Sequence, residues 1–130
     1  MVRILVIEDE ALIAQDIAAI AVGMGHEVCG VVGRHAKAMT MAVSAKPELI
    51  LADIGLQDGD DGIATIKKIR HYLDVPVVFV TGNADRLANQ ITDTSVHCVA
   101  KPFVAETLRR AIRRALGQDG AAVRTEAVKS

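Results

Sequence analysis

Residues 49–53 read LILAD, four apolar residues followed directly by a carboxylate. Four other short, largely apolar runs occur along the chain, each separated from the next by a longer segment. The five runs cover residues 2–7, 27–32, 48–52, 75–80 and 96–100. They are rich in β-branched residues and apolar on both faces, which is typical of strands in a parallel sheet covered on both sides. We therefore predict an α/β domain.

The segments between these runs carry apolar residues at helical spacing. In the first segment, Gly25 follows the apolar stripe and is expected to end the helix. The members of that stripe are Leu12, Ile13, Ile17, Ile20 and Met24. Further helices are predicted over residues 36–45, 61–73 and 104–116. Residues 84–94 hold few apolar anchors, and we predict a short or mobile helix there.

Five βα units predict a doubly wound five-stranded parallel sheet with helices on both faces and right-handed crossovers. We predict the flavodoxin-like strand order 2-1-3-4-5, in which a site lies beyond the carboxyl ends of strands one and three. The domain is expected to span residues 1–117. Residues 118–130 contain no apolar periodicity and are expected to form a disordered tail.

Composition narrows the function classes. The chain has 130 residues, 51% of them hydrophobic and 2% aromatic, so the core is aliphatic. A formal net charge of −1 gives no general reason to expect DNA or an anionic membrane as partner. No apolar run reaches membrane-spanning length, and the first residues do not resemble a signal peptide. The two cysteines, Cys29 and Cys98, are expected to be buried, reduced thiols in a cytoplasmic protein.

Polar residues follow four of the five predicted strands. In the order 2-1-3-4-5 these four strands are contiguous, and strand two, which ends without a carboxylate, is the outer edge. The polar groups therefore gather at one rim of the sheet. They are Glu8, Asp9 and Glu10 after strand one, Asp53 after strand three, Thr81 at the end of strand four and Lys101 after strand five.

Crowded carboxylates repel one another, so we expect a cation to hold them ionised together. Mg²⁺ suits hard oxygen ligands and keeps coordination positions for water and phosphate. Asp9 and Asp53 are predicted as direct ligands, Glu8 as a ligand directly or through water, and Gly55 through its carbonyl.

The same rim suits phosphoryl transfer. A carboxylate can attack phosphorus and form an acyl phosphate, and Asp53 is the predicted nucleophile. The charge on the phosphoryl oxygens must be neutralised. The Lys101 ammonium and the Thr81 hydroxyl are predicted to contact those oxygens beside the metal ion.

Four stretches together resemble the receiver domain of two-component response regulators, over about residues 3–116. They are LVIEDE at 5–10, ILADI at 50–54, VTG at 80–82 and VAKPF at 99–103. The resemblance implies that Asp53 is the phosphoacceptor and that Glu8 and Asp9 form the acidic metal pair. It also implies that Thr81 is the hydroxyl that follows the phosphoryl group, and that Lys101 is the site lysine.

Residues 79–82 read FVTG and resemble the stand-alone receivers of the FAT GUY group, whose kinases are often of the HWE type. The resemblance implies a sensor histidine kinase or a histidine phosphotransfer protein as phosphodonor, and an unidentified downstream protein. Val80 and Asn83 depart from the group's motif. Cys98 stands where most receivers carry Tyr or Phe, and Gln57 where many carry proline, so the route from phosphate to output surface is predicted to differ.

Two other functions are compatible with parts of this pattern. A receiver-like interaction module that works without phosphorylation would not need the complete set of rim residues. A hydrolase of the aspartyl-phosphate type usually carries a second Asp two residues after the nucleophile, where this chain has Gly55. The chain is therefore expected not to be a turnover enzyme, although it assists its own phosphorylation and dephosphorylation.

The remaining patterns are given structural interpretations. Residues 58–62 resemble the start of a calcium loop, but Ile63 stands where the turn glycine should be and Ile69 where the bidentate glutamate should be. A turn that caps the third helix is predicted instead. His26 with Cys29 and His97 with Cys98 lie on opposite edge strands and cannot share a metal ion. The arginines of the last helix form a solvated or partner-facing surface rather than a nucleic-acid contact. They are Arg109, Arg110, Arg113 and Arg114.

Overall fold

The computed structural model describes residues 1–55, 62–82 and 96–118. The five strands are β1 Arg3–Ile7, β2 Glu27–Val32, β3 Leu49–Ala52, β4 Val77–Thr81 and β5 Val96–Ala100. The described helices are α1 Ala11–Gly23, α2 His35–Ala45, α3 Gly62–Tyr72 and α4 Ala105–Ala115. Each predicted element within these ranges is present, with small boundary shifts. The helix predicted over residues 84–94 and most of the predicted tail lie outside the described residues.

The strands form one parallel sheet in the order β2-β1-β3-β4-β5, as predicted. Ile7 is in register with Val32 on one side and with Ala52 on the other. Strands β1 and β3 therefore end level with each other, so that Glu8 and Asp53 follow at the same height. This register places the two carboxylates beside each other at the carboxyl edge of the sheet.

Helices cover both faces of the sheet because the central strands alternate between two apolar cores. Leu5 and Ile7 face the core under α2 and α3, whereas Ile4 and Val6 face the core under α1 and α4. Among the described residues, the buried hydrophobic side chains are aliphatic except for Phe79, which is fully buried in the first core. The helices in the described ranges are at most 13 residues long, and none has the length and apolarity to cross a bilayer.

Helix α1 ends where its sequence predicts, but its buried apolar face is narrower than the predicted apolar stripe. Gly25 follows the C-cap and has φ +91°, a left-handed conformation that glycine adopts without steric cost. Leu12 belongs to the apolar stripe by spacing, yet it is 80% exposed and lies outside the buried face of the helix. Ile17 and Ile20 lie one and two turns further on and are buried.

The two thiols differ in their surroundings, which corrects the prediction that both are buried. Cys98 lies on the edge strand β5 and is exposed. Cys29 is partly buried at an irregularity in the β1–β2 pairing, where its Sγ donates to the carbonyl of Ile4 at 3.4 Å. Strands β2 and β5 are the two edges of the sheet, so the two His–Cys pairs are on opposite sides, as expected.

Candidate functional site

Backbone hydrogen bonds between neighbouring strand ends shape the carboxyl edge of the sheet. The Asp53 N–H donates to the Ile7 carbonyl at 2.9 Å, which ties the end of β3 to the end of β1. The Lys101 N–H donates to the Thr81 carbonyl at 3.0 Å, which ties the end of β5 to the end of β4. Regular strand pairing thus fixes the backbone positions of Asp53 and Lys101 at this edge.

Lys101 lies at the centre of the site. Its Nζ donates to Glu8 Oε1 at 2.7 Å and to Asp53 Oδ2 at 2.9 Å. The Glu8 side chain is 1% exposed and the Lys101 side chain 16%, so these contacts are largely shielded from water. The sequence assigned Lys101 to the phosphoryl group and Glu8 to the metal ion, and it did not predict that the two would pair.

Each of the two carboxylates also holds a backbone N–H with its second oxygen. Glu8 Oε2 accepts from the Glu10 N–H at 3.2 Å, and Asp53 Oδ1 accepts from the Gly55 N–H at 2.9 Å. Each carboxylate therefore accepts one hydrogen bond from the main chain and one from the Lys101 ammonium. These hydrogen bonds fix the orientation of both carboxylates.

Burial and charge shift the pKa values of the central pair. Burial raises the pKa of Glu8 above its usual value, although hydrogen bonds from Lys101 and the Glu10 N–H act in the opposite direction. Burial by itself would lower the pKa of Lys101, but its hydrogen bonds to Glu8 and Asp53 outweigh that effect and raise it. Lys101 therefore stays charged, while the ionised form of Glu8 is costly.

The remaining predicted residues lie around this pair. Thr81 is the last residue of β4 and is fully buried. Asp9 is half-buried after Glu8, and a Cβ on Gly33 would lie 3.4 Å from its Cα, so the end of β2 packs against this loop. Gly55 is exposed after β3. The structure thus gathers Glu8, Asp53 and Lys101 in direct contact.

The donor set suits a hard divalent cation. Glu8 and Asp53 already turn one oxygen each toward a single positive charge, and carboxylate oxygens are what Mg²⁺ prefers. In the described ranges no three acidic, histidine or cysteine side chains converge as a ready metal cage. The ammonium of Lys101 instead lies between Glu8 and Asp53. The carboxylates of Glu8, Asp9 and Asp53 stay the side chains predicted to hold a metal ion.

Glu10 is a rim residue for which the sequence pattern predicts no role. Its Oε2 lies 3.8 Å from Lys101 Nζ, and its side chain is 58% exposed. The signal was present in the sequence, since Glu10 is the third of three consecutive acidic residues. Nothing in that pattern distinguishes a residue that contacts the site lysine from one that faces water.

A family profile described as "Response regulator receiver domain" matches residues 4–113. The phyllosphere-induced regulator PhyR of Methylorubrum extorquens is 38% identical over 96% of this chain and 47% of its own length. The NMR structure of the Erythrobacter litoralis PhyR receiver domain is 36% identical, with TM-score 0.82, over 88% of this chain and 89% of that domain. PhyR from Brucella abortus is 33% identical, with TM-score 0.82, over 99% of this chain and 53% of its own. This chain spans about half the length of the curated relatives it matches.

Proposed function

We propose, because the chain belongs to the family of response regulator receiver domains, that Asp53 accepts a phosphoryl group from a phosphohistidine donor. The donor is a sensor histidine kinase or a histidine phosphotransfer protein, and the reaction depends on Mg²⁺. The observation that carries the proposal is the placement of Asp53. Its carboxylate is held by the Gly55 N–H on one side and by the Lys101 ammonium on the other.

The step is a phosphoryl transfer between two nucleophiles. An Asp53 oxygen attacks phosphorus, the bond from phosphorus to the donor imidazole breaks, and the imidazole nitrogen keeps the electron pair and takes up a proton. The Lys101 ammonium donates to one of the new phosphoryl oxygens, and the Thr81 hydroxyl donates to another of them. Glu8, Asp9, Asp53 and the Gly55 carbonyl would hold Mg²⁺, which would supply further neutralisation of charge.

The product of this step is the phosphorylated protein itself, which acts as a signal and is not a released metabolite. Position 55 is a glycine, so the acid that aspartyl-phosphate hydrolases place there is missing, and we propose slow self-catalysed loss of phosphate. A kinase-coupled switch of this kind works in the cytoplasm, where we place this protein. PhyR of Bartonella quintana is described as an anti-anti-sigma factor. An anti-sigma factor is therefore the first downstream partner to test.

The test is covalent labelling of Asp53. Acetyl phosphate with Mg²⁺ should phosphorylate the wild type, as seen by a mass increase and by a shift on phosphate-affinity gels. Asp53→Asn should show neither change. Asp16→Asn is the matched control, since it removes an exposed carboxylate from α1 and should be labelled normally.

Equal labelling of Asp53→Asn would place the phosphate elsewhere and overturn the assignment. Failure to label the folded wild type, with acetyl phosphate or with a panel of histidine kinases, would favour a receiver-like module that binds its partner without phosphorylation.

A further inference from the structure

Glu10 is an acidic residue at the rim that the proposed reaction does not use. It stands at the N-cap of α1, yet its side chain makes no capping hydrogen bond to that helix. Residues with a short polar side chain usually cap a helix from this position. The Glu10 carboxylate instead lies with Oε2 3.8 Å from Lys101 Nζ. Its backbone N–H is also in use, donating to Glu8 Oε2 at 3.2 Å.

Lys101 and a divalent cation compete for the same oxygens. The ammonium holds Glu8 Oε1 at 2.7 Å and Asp53 Oδ2 at 2.9 Å, which are oxygens that a metal ion between these carboxylates would need. Two cations a few ångströms apart repel each other strongly at a partly buried site. Lys101 must therefore give up at least one of these contacts when the metal ion enters.

A displaced ammonium at this position needs another negative partner. The Lys101 side chain is only 16% exposed, so water alone cannot fully solvate the charge. Glu10 is the third carboxylate within 4 Å of Nζ, and it is not among the predicted metal ligands. Its exposed side chain is free to change rotamer, and it needs to approach by only about 1 Å to form a charge-assisted hydrogen bond.

We propose that Glu10 is a positioning residue that receives the Lys101 ammonium when a divalent cation occupies the carboxylate cluster. Its main chain keeps Glu8 oriented toward the cation, while its side chain holds Lys101 at the rim, beside the place where the phosphoryl group arrives. This inference rests on the proposed function for its purpose, although the exchange of partners can be measured without any phosphodonor.

A general electrostatic effect must be separated from this specific contact. Removing any nearby carboxylate weakens Mg²⁺ binding somewhat, and that loss does not depend on Lys101. The contact model predicts a loss that does depend on Lys101. Glu10→Gln should weaken Mg²⁺ binding about fivefold in the wild-type background and less than about twofold in a Lys101→Met background.

A charge-conserving variant gives a second test. Glu10→Asp keeps the negative charge but shortens the side chain by one methylene group. The contact model predicts a loss of Mg²⁺ affinity close to that of Glu10→Gln, whereas a pure field effect predicts affinity close to that of the wild type. Asp16→Asn removes an exposed carboxylate from α1 and should change Mg²⁺ affinity little.

The experiment is a Mg²⁺ titration of the full chain by calorimetry, with the 13Cε shift of Lys101 followed by NMR. Amide spectra establish that each variant is folded, and Lys101→Gln replaces Lys101→Met if that variant is not. In the wild type, the Lys101 signal should move with the same midpoint as the binding heat, and in Glu10→Gln its end point should change.

Three results would overturn the proposal: equal losses in both Lys101 backgrounds, wild-type affinity in Glu10→Asp, or a wild type that binds no Mg²⁺. A failure of the proposed function is recognised separately, because it appears as absent labelling of Asp53 with acetyl phosphate, whereas the differences between the Glu10 variants in the titration report on the Glu10 contact.

Discussion

At the amino end of the sheet, Arg3 donates from Nη1 to the Lys46 carbonyl at 3.3 Å and from Nη2 to the last turn of α2. At the carboxyl end, Lys101 donates to Glu8 and Asp53. Each end thus has one cationic side chain that joins elements far apart in the sequence. Arg3 donates to neutral carbonyls at the negative end of a helix dipole. Lys101 instead lies near three carboxylates, so the negative charges around it exceed its own single positive charge.

This difference in charge indicates that the amino end of the sheet serves stability and the carboxyl end serves function. The contacts of Arg3 satisfy carbonyls that the end of α2 would otherwise leave unpaired, so the arrangement is complete without any ligand. The carboxyl end holds more negative than positive charge, and burial makes the ionised form of Glu8 costly. A folded protein keeps such an excess where a ligand compensates it, which is why shifted pKa values concentrate at functional sites.

The largest expected effect on stability comes from the amino end. Arg3→Met removes the hydrogen bonds to the end of α2 and should lower the free energy of unfolding by about 2 kcal/mol, since bonds from charged donors contribute more than neutral ones. The melting temperature should fall by about 6–10 °C. Labelling of Asp53 should be unchanged at a temperature where the variant is folded.

Arg3→Lys is the matched control for this variant, because it keeps the charge near the helix end but loses the forked geometry. It should fall between the wild type and Arg3→Met in urea unfolding. If Arg3→Met unfolds like the wild type but is labelled poorly, the assignment of the two ends to stability and function is wrong.

The topology was predictable because it depends on residue type and spacing alone. Residues 49–52 are fully or almost fully buried on both faces, and such a run has few alternatives to a central parallel strand. The rim followed from the topology, since parallel strands in the order 2-1-3-4-5 bring Glu8, Asp53 and Lys101 to one edge. These are consequences of pattern, and they required no knowledge of side-chain conformation.

The pairings within the site were not predictable from the same pattern. Whether Lys101 meets Glu8, Asp53 or both depends on rotamers and on differences of less than an ångström between competing contacts. Leu12 fits the helical stripe by spacing, but it lies in the first turn of α1 and is 80% exposed. Cys98 is apolar by type, yet it lies on an edge strand where one side has no neighbour in the sheet.

A smaller effect of opposite sign is expected at the carboxyl end. Glu8→Gln removes a carboxylate whose ionised form is costly, while Lys101 keeps its ion pair with Asp53 and is not left unpaired. The variant should therefore leave stability at pH 7.5 unchanged or raise it by up to about 1 kcal/mol. The folded-state pKa of Glu8 is raised, so the stability it contributes is present at low pH and lost as the pH rises through that pKa. The advantage of Glu8→Gln should therefore shrink as the pH is lowered toward 4.5.

Glu106→Gln is the control for the Glu8 variant. The pKa of Glu106 is lowered by hydrogen bonds from Arg109 and Arg113 on the exposed face of α4, so removal of its charge should not stabilise the protein. Urea unfolding at pH 7.5 and pH 5 measures both variants. A clear loss of stability in Glu8→Gln at pH 7.5 would mean that the charges at the carboxyl end are as well compensated as the polar groups at the amino end.

The smallest expected effect is a pH dependence at the amino end. His26 is buried, and its Nδ1 accepts the Val2 N–H at 3.2 Å, which requires an unprotonated nitrogen. Burial and the positive N-terminus lower the pKa of His26 below its usual 6.5. Its stability contribution is therefore complete above pH 6.5 and is lost as the pH falls from there toward the folded-state pKa, because only the unfolded chain takes up the proton.

His26→Asn keeps an acceptor near the position of Nδ1 but does not titrate. In thermal unfolding at pH 7.5 and pH 5.5, the wild type should lose more stability than His26→Asn. His97, whose pKa is also lowered, is present in both proteins and cancels in the comparison. An equal pH dependence in the two proteins would show that the amino end titrates through another group.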